Sequence, residues 1–337
     1  MPLQMQITRF GGPDVFRLKE VPSEPLSSTL VRIQVRASGV NFADLMMRSG
    51  LYPEAPKTPF TPGYEVAGTV IETGPLVQSL KKGDRVLAAC RFGGYTNEIV
   101  LPEFQIRKIP KGLTEIEAAA IPVNFMTAWI ALQDMARVRA GDRVLIQSAA
   151  GGVGIAAVQI AVKAGAYVVG LVGSKTKAEL PQSLGAAETL TYEEWKESKD
   201  KYHIILDSIG GASLKQSFKR LAAGGRVISF GASSVVSGQK RSPRSILSFI
   251  YHTTFFTPYQ LMMQNKGVFG LNLLQFFSDP GSENTKLVTH ALDQALEEFA
   301  HGGFKTVVGK TFPLEQAGEA HTWLQSRKNT GKVILTS

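Results

Sequence analysis

The spacing of hydrophobic residues changes once along the chain. Before about Asn124, apolar and polar residues alternate in short runs separated by Gly and Pro, including LVRIQVRASGV, YEVAGTVIETG, GDRVLAAC and YTNEIVLP. Short alternating runs between turn-forming residues are typical of half-buried β-strands. We therefore expect this part of the chain to form a compact, mainly antiparallel barrel.

From about Ala118 to Gly303, apolar runs alternate with stretches of helical spacing. The runs RVLIQ, AYVVGLV, HIILDSIG, RVISFGA and GVFGLNL are strand candidates, and their alternation with helices predicts a doubly wound parallel sheet. The C-terminal part again shows the pattern of the first part, with a strand in KTVVGKTFPL, a helix in EQAGEAHTWLQ and a last strand in GKVILTS. The predicted domains are therefore 1–123 with 301–337, and 124–300.

The most informative segment reads RVLIQSAAGGVGIAAVQIAVKAGAYVVGLV, from Arg143 to Val172. Gly151 and Gly154 stand where the G-x-G-x-x-G fingerprint has its second and third glycines, and Ala149 replaces the first. Such a hinge brings backbone N–H groups to a pyrophosphate at a helix N-terminus. A lone fingerprint also occurs in ordinary tight turns, but here strand, hinge, helix and strand follow in order. The hinge residues expected at a dinucleotide are Ala150, Gly151, Gly152 and Val153.

The residues after the second strand of this unit favour one dinucleotide. An NAD site usually carries an acidic residue there, about 20 residues past the glycines, to hold the ribose hydroxyls. This chain instead reads GSKTK at 173–177, whose hydroxyl and ammonium groups suit a 2′-phosphate. The alternative is a solvated basic loop. We expect NADPH, held by Gly173, Ser174 and Lys177. Tyr192, on a later loop, either adds its hydroxyl to the same phosphate or serves only in packing.

Composition limits the other classes of function. The chain has 337 residues, of which 44% are hydrophobic and 19% charged, as expected for two folded domains. The net charge of +9 is scattered and comes without a nucleic-acid-binding motif. Cys90 is the only cysteine, which excludes an intramolecular disulfide. Without a signal-peptide pattern or an apolar span of about 20 residues, a cytoplasmic location is expected.

Several motifs in order resemble those of one family. They are GVNFADLMMRSGLYP, TPGYEVAGTV, KKGDRVLA, NFMTAWIAL, SAAGGVG, SLGA, LDSIGG, GGRVISFG and GKVIL. The chain resembles the medium-chain dehydrogenase/reductases, in the zinc-free quinone oxidoreductase (zeta-crystallin-like) branch, over nearly its whole length. FADLM, SGQKRSP and TPYQLMMQNKGVFGLNL are most similar to the vesicle amine transport protein homologues. The resemblance implies an α/β protein with a GroES-like antiparallel β-barrel catalytic domain and a doubly wound Rossmann domain.

No metal site is expected. Zinc-dependent members of the family place a Cys where this chain has Asn41 and a His where it has Tyr64, and they carry a four-cysteine lobe that is absent here. The five histidines show no ligand spacing, so we interpret them as surface or packing residues. Without a metal, hydrogen bonds or conjugation must polarise the acceptor, which suits quinones and α,β-unsaturated carbonyls.

The resemblance also assigns site residues around the cofactor. Asn41 and Thr127 are expected at the nicotinamide ribose and carboxamide, and Asn329 is expected to close over the cofactor. Tyr52 matches a tyrosine of related enoyl reductases and is either a proton donor or a pocket wall; with Asn41 it forms the predicted catalytic pair. The remaining cofactor walls are assigned to Gly231, Phe269, Gly270 and Leu271.

The segment 232–280 is the least generic part of the chain. It combines a basic loop, containing Lys240, Arg241 and Arg244, with many large apolar residues. Three interpretations remain: a homodimer contact, a lid or channel for apolar substrates, or contact with an anionic membrane surface.

Two functions therefore remain open. One is an NADPH-dependent reductase of quinones or enones, and the other is an NADPH-binding protein acting in lipid transfer or membrane-associated interaction with little catalysis.

Overall fold

The computed structural model of the protein describes residues 1–233, 256–277 and 281–337. The described chain packs into two compact units. The first unit holds both chain ends, residues 1–123 and the described part of 276–337, and the second holds the described residues between 124 and 275. The basic loop with Lys240, Arg241 and Arg244, and most of the apolar run that follows it, lie outside the described residues.

The first unit is built on a seven-stranded sheet that is antiparallel except at one edge. Inward-facing Val31, Ile33 and Val35 alternate with polar residues and pack against Val66 and Val86, so the alternation in the sequence places one face in a core. A two-stranded sheet of Leu3–Ile7 and Phe16–Glu20 lies beside it. The larger sheet runs in the order Val308–Pro313, Lys332–Thr336, Leu30–Val40, Glu65–Thr73, Arg85–Ala89 and Ile106–Lys108, with Glu98–Pro102 also paired to Leu30–Val40.

Helices Phe42–Arg48, Glu115–Ala118, Glu283–Ala300 and Ala317–Gln325 belong to this unit. The long helix Glu283–Ala300 was placed in the second domain by the sequence-based division. Its residue Asp293 instead forms a salt bridge with Arg107, at 2.5 Å, and packing therefore groups it with the first unit.

The second unit is a six-stranded sheet in which every pair is parallel. Its central strands are apolar along their length because helices cover parallel sheets on both faces. The strands follow the order Glu188–Thr191, Tyr167–Val172, Arg143–Ile146, Tyr202–Asp207, Leu221–Ser229 and Gly267–Gly270. Helix Pro122–Trp129 starts at the boundary between the two units and continues into a π-helical turn at Ile130–Met135. The other helices are Gly152–Lys163, Glu179–Ser183, Tyr192–Glu197, Ala212–Lys219 and Pro258–Gln264. The predicted doubly wound sheet is confirmed.

The strand order reverses beside Arg143–Ile146. Tyr167–Val172, the next strand along the chain, lies on one side of it. Tyr202–Asp207 and the strands of this sheet that follow it lie on the other side. In open parallel sheets, ligands bind at such a reversal, outside the carboxyl ends of the strands. The fold therefore positions the hinge after Ile146 as the first place to look for a site. None of the helices in the described ranges is long and apolar enough to cross a membrane.

Candidate functional site

The glycine hinge connects strand Arg143–Ile146 to helix Gly152–Lys163 through a tight turn. Gly151 is the N-cap residue and no side chain caps the helix start. A Cβ on Gly154 would overlap the carbonyl oxygen of Ser148, and one on Gly152 would overlap the side chain of Asn124. Both positions therefore require glycine for close packing.

This helix N-terminus fits a pyrophosphate. The first turn holds no acidic residue, and its backbone N–H groups point out at the positive end of the helix dipole. The predicted ligands Ala150, Gly151, Gly152 and Val153 all lie at this turn, at the reversal of strand order. Their contact with a cofactor stays a prediction.

A cluster of hydroxyl groups stands beside the hinge. The backbone N–H of Ser148 donates to the Tyr192 hydroxyl at 3.0 Å, and the Ser148 hydroxyl lies 2.9 Å from that of Ser208. Tyr192 was expected on a loop, but it is the first residue of helix Tyr192–Glu197, which Thr191 caps through its side chain. The sequence indicated Tyr192 and missed both serines, because their grouping depends on separate strands ending at one edge.

The two lysines after strand Tyr167–Val172 have different surroundings. Lys175 is exposed and pairs with Glu194 at 3.2 Å. Lys177 is partly buried, and this burial lowers its pKa, so a nearby phosphate would offset a desolvation cost. Ser174 and Thr176 bond to each other through their hydroxyls at 2.8 Å, and the space around Gly173 is open. The donor set fits the 2′-phosphate predicted for it.

Asp207 fixes the turn at the end of strand Tyr202–Asp207. Its buried carboxylate accepts hydrogen bonds from Gln147 at 3.1 Å, from the Ser217 hydroxyl at 2.7 Å and from the backbone N–H of Gly210 at 2.7 Å. A carboxylate with this many donors holds the turn rigidly. The turn also meets Gly231, where a Cβ would overlap the Ser208 carbonyl. Asp207 is thus a structural residue of the site edge that sequence reasoning missed.

The other predicted cofactor walls are only partly brought together. Thr127 is buried on helix Pro122–Trp129. Gly270 ends strand Gly267–Gly270 and Leu271 follows it, with the Leu271 N–H donating to the Ser229 carbonyl at 2.9 Å. The side chain of Phe269 is 41% exposed and lines a separate cavity of about 540 Å³ with Arg226 and Asp142. None of the hinge residues 150–153 lines this cavity.

A buried charged cluster occupies the first unit. The Lys332 ammonium donates to the Asn41 amide oxygen at 2.6 Å and pairs with the Glu65 carboxylate at 2.5 Å. The Asn41 amide N–H donates to the same carboxylate at 2.9 Å, and the other Glu65 oxygen accepts from the backbone N–H of Val123 at 2.8 Å. The side chains of Lys332 and Glu65 are 4% and 0% exposed. The three side chains thus satisfy one another inside the protein.

This cluster differs in chemistry from a zinc site. Asn41 and Tyr64, which the resemblance matches to zinc ligands, offer a neutral amide and a phenol whose pKa burial raises further. An ammonium is already bonded to Asn41. Across residues 1–233, 256–277 and 281–337, no group of three or more His, Cys, Asp or Glu side chains could hold a metal ion.

A second buried network adjoins Asn41. Asp44 accepts hydrogen bonds from the Asn41 backbone N–H at 2.8 Å and from the Tyr95 hydroxyl at 3.0 Å, and that hydroxyl lies 3.0 Å from His321 Nε2. Burial raises the pKa of Asp44 to about 7 and lowers the pKa of His321 well below its usual range. His321 is fully buried, so it is a packing residue, as expected, but one with a polar partner that the sequence did not reveal.

The candidate catalytic phenol lies on the loop after helix Phe42–Arg48. Tyr52 is half-buried. Burial, followed by the charge of Glu54, raises its pKa to about 12. Tyr52 therefore carries its proton at neutral pH. Asn329, just before the last strand, donates through its amide to Gly331 at 3.3 Å, and its contact with a cofactor stays a prediction.

Comparisons with known proteins agree with this geometry. Residues 27–111 match the family model described as alcohol dehydrogenase GroES-like domain, and residues 184–335 match the one described as zinc-binding dehydrogenase. The human synaptic vesicle membrane protein VAT-1 homolog is 33% identical over 98% of this chain and 85% of its own length. The quinone oxidoreductase of Mus musculus is 32% identical over 98% of this chain and 96% of its own.

Solved structures give the same assignment. The quinone oxidoreductase of Escherichia coli, crystallised in complex with NADPH, superposes with a TM-score of 0.84 at 26% identity, over 99% of this chain and 100% of that one. Both units of the fold are therefore shared with a known oxidoreductase. From the fold, the hinge and these relatives together, the chain belongs to the medium-chain dehydrogenase/reductase family.

Proposed function

We propose that the protein is an NADPH-dependent, zinc-independent reductase that transfers hydride to quinones or α,β-unsaturated carbonyls. The observation that carries the proposal is the Lys332 ammonium bonded to both Asn41 and Glu65. The ammonium thus engages the Asn41 amide oxygen, at one of the two positions that the resemblance matches to zinc ligands. Acceptors whose charge is spread by conjugation need no Lewis acid, only hydrogen bonds.

The cofactor assignment rests on the second unit. The hinge at Ala150, Gly151, Gly152 and Val153 would hold the pyrophosphate, while Lys177, Ser174 and Tyr192 would surround the 2′-phosphate. When bound, NADPH supplies a hydride from its nicotinamide. The protein contributes the orientation of the cofactor through this turn, and on the side of the acceptor a proton at the Tyr52 hydroxyl.

The testing experiment follows NADPH and NADH consumption by the purified protein with a panel of ortho-quinones, para-quinones and conjugated enones. We expect turnover with NADPH preferred, unchanged after dialysis against a strong zinc chelator. A simple aldehyde or ketone serves as the control acceptor and should react far more slowly. Turnover that requires added zinc, or a preference for NADH, would contradict the proposal.

The proposed assembly is a homodimer in the cytoplasm. Among the residues that the structure describes, strand Gly267–Gly270 is the edge strand of its sheet, and an edge strand is a surface on which a second copy can pair. Sedimentation velocity at several concentrations tests this assembly, and a monomer throughout would refute it.

A second candidate function is membrane-associated interaction or lipid transfer with little turnover. Helix Pro258–Gln264 exposes Tyr259, Met262 and Met263, and the human relative named above is called a vesicle membrane protein. Flotation with acidic liposomes discriminates between the two functions. Salt-sensitive binding that is lost when Lys240, Arg241 and Arg244 are neutralised would favour this candidate, especially if NADPH binds without turnover.

A further inference from the structure

Two neighbouring strands of the second unit are joined at their carboxyl ends. Gln147 and Ser148 follow one strand, and the strand beside it ends at Asp207, directly before Ser208. The buried side chains of Gln147 and Asp207 are bonded at 3.1 Å. The Gln147 side-chain oxygen also accepts from the Ser208 N–H at 3.3 Å. These bonds fix the two strand ends to each other, and the hydroxyls of Ser148 and Ser208 meet there at 2.9 Å.

Ser148 has an unusual backbone conformation. Its φ is +53°, in the left-handed region that residues with a Cβ rarely adopt. Its carbonyl accepts from the Gly151 N–H at 2.8 Å, and its own N–H donates to the Tyr192 hydroxyl at 3.0 Å. Backbone strain of this kind persists only where surrounding contacts hold it, and it is concentrated at ligand sites. Ser148 thus links the hinge expected at the pyrophosphate to the phenol expected at the 2′-phosphate.

Tyr192 reaches Ser148 across an intervening strand. The strands before Tyr192 and before Ser148 are separated by strand Tyr167–Val172. That strand is paired with the strand before Tyr192 up to its last residue, so Tyr192 and Gly173 leave the sheet side by side. Because neighbouring strands lie about 4.8 Å apart, the phenol spans the end of the middle strand. It therefore lies beside Gly173, where a Cβ would meet nothing within 4 Å.

The direction of the hydroxyl protons follows from what each group can donate. The Tyr192 oxygen accepts from the Ser148 N–H, and the Ser148 hydroxyl lies 3.4 Å from it. A hydroxyl has one proton and two lone pairs, so a Tyr192 oxygen that accepts from Ser148 directs its own proton elsewhere. A phosphate dianion only accepts hydrogen bonds. It therefore favours donation from Ser208 to Ser148, from Ser148 to Tyr192 and from Tyr192 to the phosphate, with each bond strengthening the next.

We infer that Ser148 is a positioning residue for the choice between NADPH and NADH, because it holds the Tyr192 hydroxyl as a donor to the 2′-phosphate. Ser208 supports Ser148 in this role. The inference rests on the proposed function and its assignment of NADPH. The 2′-hydroxyl that NADH carries instead can both donate and accept, so it does not depend on a donor held in one direction. Ser148 should therefore matter for NADPH and little for NADH.

The first test measures dissociation constants of NADPH and NADH by calorimetry for Ser148→Ala, Tyr192→Phe and the double variant. Tyr192→Phe removes a donor to a charged group and should weaken NADPH binding roughly 10-fold or more. Ser148→Ala keeps the N–H and should weaken it roughly threefold, with NADH binding changed less than about twofold in either variant. In the Tyr192→Phe background, Ser148→Ala should have no further effect. Equal weakening of both cofactors by Ser148→Ala, or the same loss in both backgrounds, would overturn the inference.

Two more variants separate the hydroxyl from the backbone. Ser148→Gly removes the same hydroxyl and relieves the left-handed strain, so it should weaken NADPH binding as Ser148→Ala does without lowering the free energy of unfolding. Wild-type affinity of Ser148→Gly for NADPH would contradict the role of the hydroxyl. The matched control is Ser183→Ala, which removes an exposed hydroxyl of the same unit bonded to the Leu180 carbonyl at 2.8 Å. It should change the binding of neither cofactor.

The second test observes the phosphate directly, by ³¹P nuclear magnetic resonance of bound NADP⁺ as a function of pH. A donor that favours the charged form lowers the pKa of the 2′-phosphate. Tyr192→Phe should raise this pKa by roughly one unit, and Ser148→Ala by roughly half a unit. A loss of structure alone would not shift the titration of a phosphate that stays bound. An unchanged phosphate pKa in both variants would refute the inference.

The outcomes separate the inference from the proposed function. A wild-type protein that prefers NADH refutes the cofactor assignment, and the role of Ser148 with it. A wild-type protein that prefers NADPH, with the same preference in Ser148→Ala, leaves the proposed function standing and refutes only the inference. Tight NADPH binding without turnover refutes the reductase, and the ratios of the dissociation constants still decide the role of Ser148. Circular dichroism of each variant shows whether a loss of binding comes from misfolding.

Discussion

The substitution Lys332→Met tests the buried cluster of the first unit. It removes the ammonium and keeps a side chain of similar length, so it isolates the charge from the packing. Glu65 would remain with its carboxylate 0% exposed, retaining the N–H donors of Asn41 and Val123. A charge left buried without its partner is far more costly than the intact pair is stabilising.

The expected loss follows from that geometry. Breaking a buried ion pair by removing one partner costs about 3–5 kcal/mol, and the Asn41 amide oxygen also loses a donor, which adds about 1 kcal/mol. We expect a loss of about 4 kcal/mol or more in the free energy of unfolding near neutral pH.

The assay is urea denaturation followed by circular dichroism and tryptophan fluorescence, with Lys332→Met, Glu65→Gln and the double variant compared. The double variant should lose less than the sum of the single ones, because a neutral amide no longer needs the ammonium. The matched control is Lys310→Met, whose exposed ammonium lies 4.3 Å from the Trp323 ring centre and which should cost less than about 1 kcal/mol. A loss in Lys332→Met no larger than in this control, or strict additivity, would refute the reasoning.

Three further predictions concern the nucleotide edge and the second buried network. Lys177→Ala should weaken NADPH binding far more than NADH binding in calorimetry. The control Lys175→Ala, which removes an exposed partner of Glu194, should change the binding of both cofactors little. Equal losses for both cofactors in Lys177→Ala would show that Lys177 does not contact the 2′-phosphate. Gly154→Ala places a Cβ against the Ser148 backbone. It should lower the free energy of unfolding by about 1–3 kcal/mol and also weaken NADPH binding. Gly173→Ala, with open space around it, should leave the free energy of unfolding unchanged. Asp44 has its pKa raised by burial from 3.8 to about 7, so its ionisation opposes folding and stability falls as pH rises through this window. Asp44→Asn should therefore be more stable than the wild type at about pH 8, by up to about 4 kcal/mol, with the difference vanishing near pH 4; a difference independent of pH would contradict this.

Local patterns predicted the fold well, and contacts between distant residues escaped them. The strand runs, the glycine hinge and its helix appear where hydrophobic periodicity placed them, because each depends on neighbouring residues. Lys332 bonds to Asn41 across 291 positions, and no local pattern marks a lysine near the chain end as buried. The sequence pattern likewise assigns helix Glu283–Ala300 to the second domain, whereas contacts group it with the first unit, and its salt bridge joins Asp293 to Arg107 across 186 positions.

The buried lysine also limits which side chain can act on an acceptor. The Lys332 ammonium is 4% exposed and already serves the oxygens of Glu65 and Asn41, so its charge neutralises a carboxylate instead of polarising a carbonyl. In the proposed reaction, the charge that develops on the acceptor is met by Tyr52, which is half-buried in the same unit and carries a proton at neutral pH. A phenol stabilises developing negative charge less than a metal ion does. It suffices only where conjugation spreads that charge. In the proposed reductase, the buried ammonium bonded to Asn41 and the protonated Tyr52 phenol thus fit the same class of acceptors, those whose developing charge is spread by conjugation.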